Sequence, residues 1–326
     1  MNEILESNSR SEWDEYVLEN SGHPLQLSGW GELKAVHGWR VHRVFVKKDD
    51  KIIGCAQILT RSLPGPLKAL AYVPRGPVVA ELKNRPAVLS QLVSYAKNNL
   101  GAVTIKIEPD WQKRVGLENW RQSKNTILIP KTLILDLDKP EDDLLSAMSK
   151  KTRQYIRKSS KSGLAIKRVE GRADLAQCLD IYRQTARRAG FAIHDDDYYY
   201  DLFDKLAENS PVLAAYSDDK PVAFLWLAAS RSVAFELYGG VNETGQELRA
   251  NYALKWQAIR LTKQQGIRHY DMNGLLNDGV SNFKRGFADH ENMLVGTYDK
   301  PLSVWYPVWE IGLPTAKKII RRLKNR

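Results

Sequence analysis

Apolar and polar positions along this chain follow a plan that is used twice. Asp49-Asp50-Lys51-Ile52-Ile53-Gly54-Cys55-Ala56-Gln57 is an apolar run entered through a polar turn, and Asp218-Asp219-Lys220-Pro221-Val222-Ala223-Phe224-Leu225-Trp226 repeats it 169 residues later. Both runs predict hairpins. Each is followed by a second strand (70–79 and 233–241), a helical pattern (87–100 and 252–265), a glycine that ends the helix (Gly101 and Gly266), and a further strand (102–107 and 267–272). The last three elements recur at a spacing of 165. Four elements in the same order predict two copies of one α/β (α+β) unit, each a mostly antiparallel sheet with helices packed on it.

The junction between the copies is expected after a strand over 126–137, where Asp138-Lys139-Pro140 ends the run and Glu141-Asp142-Asp143 places acids at the positive end of a helix. The predicted domains are therefore 1–138 together with 301–326, and 139–300. The helix after the junction buries Leu144, Leu145, Met148, Tyr155 and Ile156, and Ser162-Gly163 stops it. From Pro307 onward the chain reads as an amphipathic helix, with Ile311, Leu313, Ile319, Ile320 and Leu323 on one side and Trp305, Tyr306 and Trp309 preceding or opening it. Aromatics beside a basic amphipathic helix suit the lipid headgroup region, or docking on the first domain.

With 326 residues and 43% hydrophobic content, the chain can pack a core in each of two domains. Its mean hydropathy is -0.43, and no apolar run approaches the roughly 18 residues of a membrane span. No signal peptide is read at the start. Cys55 and Cys178 lie in separate apolar segments, far from a disulfide framework or a metal-ligand spacing, so a reducing cytoplasm is expected.

Charge sharpens this picture. The net charge is +11, yet 147–168 holds eight basic residues and no acid, and 314–326 holds six more and no acid. The rest of the chain has 35 basic and 38 acidic residues. Two patches make the protein basic, and concentrated charge of this kind implies a polyanionic partner: nucleic acid phosphate or an anionic membrane surface.

Familiar cofactor signatures are missing. The sequence has no Walker loop, no G-x-G-x-x-G after a strand, no G-x-S-x-G and no zinc spacing, so no cofactor and no metal are expected. The order hairpin, strand, helix, strand is that of acyltransferases that hold acyl-coenzyme A on a glycine-rich loop, but neither 78–86 nor 242–251 carries that loop. Four polar strings stand where a site needs them: Lys34 after Trp30; Arg75 in Tyr72-Val73-Pro74-Arg75-Gly76-Pro77; the pair Arg187-Arg188; and Asn282-Phe283-Lys284-Arg285-Gly286-Phe287, which interleaves cations with aromatics as nucleobase-stacking sites do.

Taken with Gln26-Leu27-Ser28-Gly29-Trp30-Gly31-Glu32-Leu33-Lys34, Lys151-Thr152-Arg153-Gln154-Tyr155-Ile156-Arg157-Lys158, Asn251-Tyr252-Ala253-Leu254-Lys255-Trp256 and Gly296-Thr297-Tyr298-Asp299, these strings make the chain resemble the FemABX family of tRNA-dependent peptidoglycan-bridge aminoacyltransferases. The resemblance runs over nearly the whole chain. It implies two tandem GNAT-like domains from an internal duplication, without the coiled-coil arm of some relatives. It implies transfer of an amino acid from aminoacyl-tRNA to the side-chain amine of the stem peptide in lipid II or UDP-MurNAc-pentapeptide. Lys284 and Phe283 are then the catalytic residues. Lys34, Tyr72, Arg75, Arg188, Tyr238, Asn251 and Tyr252 bind the precursor. Lys150, Lys151, Arg153, Arg157, Lys158, Lys161 and Arg285 bind tRNA. Glu108, before Pro109, is not expected to be catalytic. The implied protein is a cytoplasmic monomer touching the inner face of the membrane. A coenzyme A-dependent N-acyltransferase and a non-catalytic RNA- or membrane-binding protein are the rival readings.

Overall fold

The computed structural model of the chain describes residues 2–276 and 278–312; the basic tail 314–326 lies outside them. The described residues divide into two compact units, Lys131–Asn292 forming one and the segments on either side of it the other. In chain order the first unit runs β1 (Asn2–Glu6), α1 (Arg10–Glu19), α2 (Ser28–Val36), β2 (Arg40–Lys48), β3 (Lys51–Ser62), β4 (Ala69–Pro74), α3 (Arg85–Asn98), β5 (Ala102–Glu108) and β6 (Arg121–Gln122). The second runs β7 (Ile134–Asp136), α4 (Glu141–Ser146), α5 (Lys150–Ser159), β8 (Ala165–Arg168), α6 (Arg172–Ala189), α7 (Asp196–Leu206), β9 (Val212–Ser217), β10 (Lys220–Ala229), β11 (Val233–Val241), α8 (Glu243–Glu247), α9 (Ala250–Gln264), β12 (His269–Asp271) and α10 (Gly279–Arg285). A last strand, Tyr298–Pro301, returns to the first unit.

The two aspartate pairs make the same turn. Asp49 and Asp50 (φ 48° and 61°) and Asp218 and Asp219 (φ 48° and 58°) hold the left-handed backbone that a two-residue type I′ hairpin loop requires. Both hairpins, β2–β3 and β9–β10, also carry a register shift at the same distance from the turn, between Val46 and Lys47 and between Ala215 and Tyr216. The sheets match as well. One has the order β1-β2-β3-β4-β5, then Tyr298–Pro301, then β6; the other has the order β8-β9-β10-β11-β12-β7. In each, the fourth and fifth strands are parallel (β4 with β5, β11 with β12) and the other core pairs are antiparallel.

The sixth strand is exchanged between the copies. β7, which follows β5 and the short β6 along the chain, pairs with β12 in the second sheet, and the strand that follows the second copy, Tyr298–Pro301, pairs with β5 in the first. Sequence order had put 134–137 in the first domain and Tyr298–Asp299 in the second. Both cross over, because the hydrophobic pattern marks a strand without naming the edge it joins.

Each sheet is closed by one helix on its core face. α3 buries Val88, Leu89, Leu92, Tyr95 and Ala96, the spacing of a helix face, against Ile58, Ala71, Val73, Ile105 and Ile107. α9 buries Ala250, Leu254, Trp256, Ala258 and Ile259 against Leu225, Leu227, Ala234 and Tyr270. Each fully buried leucine or isoleucine here contributes about 1.5–3 kcal/mol. Lys255 lies on the same buried face of α9, among these apolar side chains.

Candidate active site

In the second unit the parallel pairing of β11 with β12 ends at Phe235 and Asp271, and polar side chains gather beyond that point. A β-bulge at this place decides which way they face. Tyr238 pairs with Trp226 and Glu236 with Leu227, so Leu237 is an extra residue that breaks the alternation. Glu236 therefore turns toward α9 and Tyr238 toward α6 and α7. Glu236, 6% exposed, accepts both of its carboxylate bonds from Lys255 Nζ at 2.7 and 2.8 Å, and Oε1 also accepts from Tyr270 Oη at 2.9 Å. Its backbone carbonyl takes the Asn273 amide at 2.9 Å.

Lys284 stands beside this network. Asp278 caps α10 by accepting from the Ser281 amide at 2.7 Å, and Lys284 on that helix points its ammonium at the carbonyls of Asn273 and Gly274, 3.4 and 3.3 Å away. Burial lowers its pKa and the Lys255 charge adds to that, while Glu236, Asp271 and Asp278 pull it back up. Such a lysine is a half-buried cation with little hydration to lose when a negative charge develops next to it.

An aromatic row leads from this lysine to the basic helix. Phe283 lies 5.2 Å from Phe287 and 4.9 Å from Tyr252, and Tyr252 lies 5.0 Å from Tyr155 on α5. Lys255 sits over the rings of Phe283 and Phe287 at 5.0 and 5.5 Å, and Lys151 and Arg249 lie over Tyr155. The row exists because α5 docks against the end of α10. Ser149, the N-cap of α5, donates its amide to the Gly286 carbonyl at 2.9 Å, and a Cβ on Gly286 would lie 2.3 Å from Thr152 Oγ1. Only glycine admits α5 at this distance. The structure thus brings together the strings 151–158, 251–256 and 283–287, and with them Phe283, Lys284, Asn251 and Tyr252 of the predicted site.

Tyr238 and Arg188 belong to the opposite face of the sheet. Tyr238 packs with Tyr182, Tyr199 and Trp226 at 5.2–6.1 Å, and burial pushes its hydroxyl well above the usual tyrosine pKa. Arg188, exposed near the end of α6, donates to the Val241 carbonyl at 3.0 Å. Two predicted tRNA contacts are engaged by their own chain. Arg153 donates to the carbonyls of Leu145, Ser146 and Met148, closing the C-terminal end of α4, and Arg285 bonds Glu291, Asn282 and the Leu276 carbonyl. Lys150, Lys151, Arg157, Lys158 and Lys161 are exposed.

In the first unit Lys34 lies on the last turn of α2, 4.6 Å over the ring of Trp30, and burial lowers its pKa from 10.5 to about 8. Tyr72 and Arg75 are at the end of β4, both buried, at 6% and 2% exposure. The loop after them rests on Gln26, which accepts from the Gln57 amide at 2.8 Å and donates to the Pro74 carbonyl at 2.6 Å. A Cβ on Gly76 would fall 2.6 Å from Gln26 Cδ, so side chain and loop are fitted to each other. Tyr72 donates to Glu108 at 2.5 Å. Glu108 further accepts from the amides of Ile127 and Leu128 and from Thr297 Oγ1, at 2.7, 3.0 and 2.6 Å. With four donors and 1% exposure it ties three segments together and has no lone pair left for substrate.

A FemAB family model matches residues 8–133, and an acetyltransferase (GNAT) domain model matches 146–285. The lipid II:glycine glycyltransferase of Staphylococcus aureus (strain MRSA252) is 30% identical over 276 residues, which is 79% of this chain and 62% of that protein. The protein of the same name from Staphylococcus epidermidis (strain ATCC 35984) is 25% identical over a 402-position alignment covering 94% of this chain and 95% of that one. The chain is similar to the FemABX family over most of its length. A crystal structure of FemX has a TM-score of 0.83 at 20% identity, with 95% of this chain and 99% of that one covered. Both units are GNAT-like domains in tandem, as the repeated hairpin, the split parallel pair and the single core helix require. The match to the S. aureus relative spans just under two thirds of that protein's length.

Sequence reading passed over Glu236, Lys255 and Tyr270 as site residues. An acid inside the apolar run 233–238 and a lysine on an apolar helix face were the available signals, since neither is buried without a partner. The bulge at Leu237, which turns Glu236 to meet Lys255, leaves no mark in the sequence.

Proposed function

We propose that this protein is an aminoacyltransferase that moves an amino acid from aminoacyl-tRNA to the side-chain amine of the stem peptide of a peptidoglycan precursor. The reading is carried by Lys284, a half-buried ammonium held between the Glu236–Lys255 pair and an aromatic row that ends on a basic helix. The names of the curated relatives support the same chemistry. An aminoacyl ester is already activated, so the enzyme has mainly to position an uncharged amine and stabilise an oxyanion; positioning alone is worth roughly 7–11 kcal/mol. Lys284 stabilises the oxyanion or the departing ribose oxygen, and Phe283 stacks on the terminal nucleotide. Glu236, neutralised by Lys255 and hydrogen-bonded to Tyr270, positions Lys284 and takes no proton itself.

The second unit takes the aminoacyl-tRNA, with Lys150, Lys151, Arg157, Lys158 and Lys161 on the phosphates and Arg153 and Arg285 as braces beneath. On this reading Lys34, Tyr72 and Arg75 in the first unit, and Arg188, Tyr238, Asn251 and Tyr252 in the second, are the residues proposed to contact the precursor, with Arg188 and Tyr238 on the face of the second sheet opposite Lys284. The lipid-borne precursor is the better fit. Val304, Trp305, Val308 and Ile311 are exposed, Val304 at 89%, immediately before the six cations of the tail. Protruding apolar side chains beside basic ones suit an anionic lipid surface. Calorimetry tests the reading against its coenzyme A rival. Lipid II or UDP-MurNAc-pentapeptide is expected to bind, Lys34→Ala and Arg188→Ala to weaken that binding at least tenfold, and acetyl-coenzyme A to give no heat. Saturable binding of acetyl-coenzyme A with acetylation of an amine contradicts it.

A further inference from the structure

On the side of α5 turned toward α9 there is a groove of about 600 Å³. Its floor is apolar, built from Leu145, Ile156, Leu164, Ile166 and Trp256, and Arg153, Arg157, Lys161 and Arg260 stand around it. Two of these cations are accounted for: Arg153 caps α4, and Arg260 pairs with Glu141 at 2.9 Å. Arg157 and Lys161 are exposed and make no ion pair or side-chain hydrogen bond among the described residues. The wall also holds Ser159, whose residue is fully buried and whose hydroxyl has no hydrogen-bond partner among the described residues. That hydroxyl is closed off beneath the wall, so the groove itself offers an occupant the apolar floor and the two exposed cations.

An occupant must therefore combine an apolar body with negative charge at one edge. Shape separates the candidates. Here the apolar side chains form the floor of a concave groove and the cations its rim, so a bilayer surface, which needs protruding apolar groups, cannot reach them. A single strand of nucleic acid can lower one base into such a groove while its backbone follows the rim, and the exposed Lys150, Lys151, Arg157, Lys158 and Lys161 run the length of α5 and the turn after it, longer than one headgroup. We infer that the groove between α5 and α9 holds one unpaired nucleotide of the RNA, its base and ribose on the apolar floor and its phosphates on Arg157 and Lys161. This rests on the aminoacyl-tRNA reading above and adds where, outside the reacting centre, the RNA is gripped.

The test is binding of deacylated tRNA and of two RNA hairpins, one blunt and one with a single-stranded 3′ extension, by the full-length protein. Arg157→Gln with Lys161→Gln is expected to weaken the extended hairpin more than tenfold and to lower the slope of log affinity against log salt by about 1.4, two single-strand phosphates' worth. The same variant should change blunt-hairpin binding no more than Lys97→Gln with Lys220→Gln, which removes equal charge elsewhere. Equal losses for the groove variant and the charge control overturn the inference, as does a groove variant that loses binding to phosphatidylglycerol vesicles and keeps RNA. If no RNA binds the unaltered protein, the aminoacyl-tRNA reading itself fails.

Discussion

At the scale of single residues, the second unit sets three amines in different electrostatic positions. Lys255 is paired with Glu236, Lys284 is held by carbonyls beside that pair, and Lys158 of α5 is exposed to water. Lys284→Met removes the ammonium proposed to meet the developing oxyanion, so turnover should fall about 10²–10³-fold, in the range of losing one oxyanion donor. Precursor affinity, read by calorimetry, should hardly change. Glu236→Gln leaves Lys255 buried without its counter-charge, and a loss of about 3–5 kcal/mol in denaturant unfolding is expected. Lys34 gives a pH signature. Its folded pKa, near 8, lies below the ordinary 10.5, so the unfolded chain binds the extra proton between these values. Stability should rise with pH across that window relative to Lys34→Met, while precursor binding by the free enzyme should weaken as pH climbs through 8 and the ammonium is lost. The strings around Lys34 and Lys284 were legible because cations beside Trp30 and between phenylalanines stand out. The Glu236–Lys255 pair was not, because its meaning depends on a bulge one residue long.

At the scale of elements, the docking of α5 on α10 does most to shape the site. It rests on one glycine: Gly286→Val should lower Tm, with about 1–3 kcal/mol of overpacking against Thr152, and should separate Tyr155 from Tyr252. Thr152→Ala in the same chain removes the colliding Oγ1 and should recover part of that loss, and a double-mutant cycle measures the coupling. The sequence showed α5 as a basic amphipathic helix with Tyr155 and Ile156 on its buried side. It did not show that Arg153 turns back to close α4, since that depends on α4 ending one turn away. The hairpins were legible down to their turns, because two aspartates between apolar runs leave few conformations open. The tail helix expected after Pro307 falls mostly outside the described residues. Within them, Tyr306 is buried and bonds Asp299 at 3.0 Å, and Val308–Gly312 forms one π-helical turn.

At the scale of the whole molecule, the duplication visible in the spacing of 165 becomes a pair of sheets that each take their sixth strand from the other copy. Spacing showed the repeat and missed the exchange, because period and pattern carry no information about which open edge a strand reaches. A fragment of residues 131–292 retains β7 and should unfold cooperatively. A fragment of 139–300, cut where the repeat pattern suggests, leaves β12 without its antiparallel neighbour and should be markedly less stable or aggregate. The exchange also means that neither copy, cut out in sequence order, has a complete sheet with which to hold Lys34 or Lys284. The most direct measurement incubates the protein with a mixture of charged tRNAs and lipid II or UDP-MurNAc-pentapeptide and weighs the precursor afterwards. The account predicts a gain of one or more aminoacyl residues that needs charged tRNA and is lost in Lys284→Met. An unchanged precursor mass with every charged tRNA, or a gain that Lys284→Met retains in full, would contradict it.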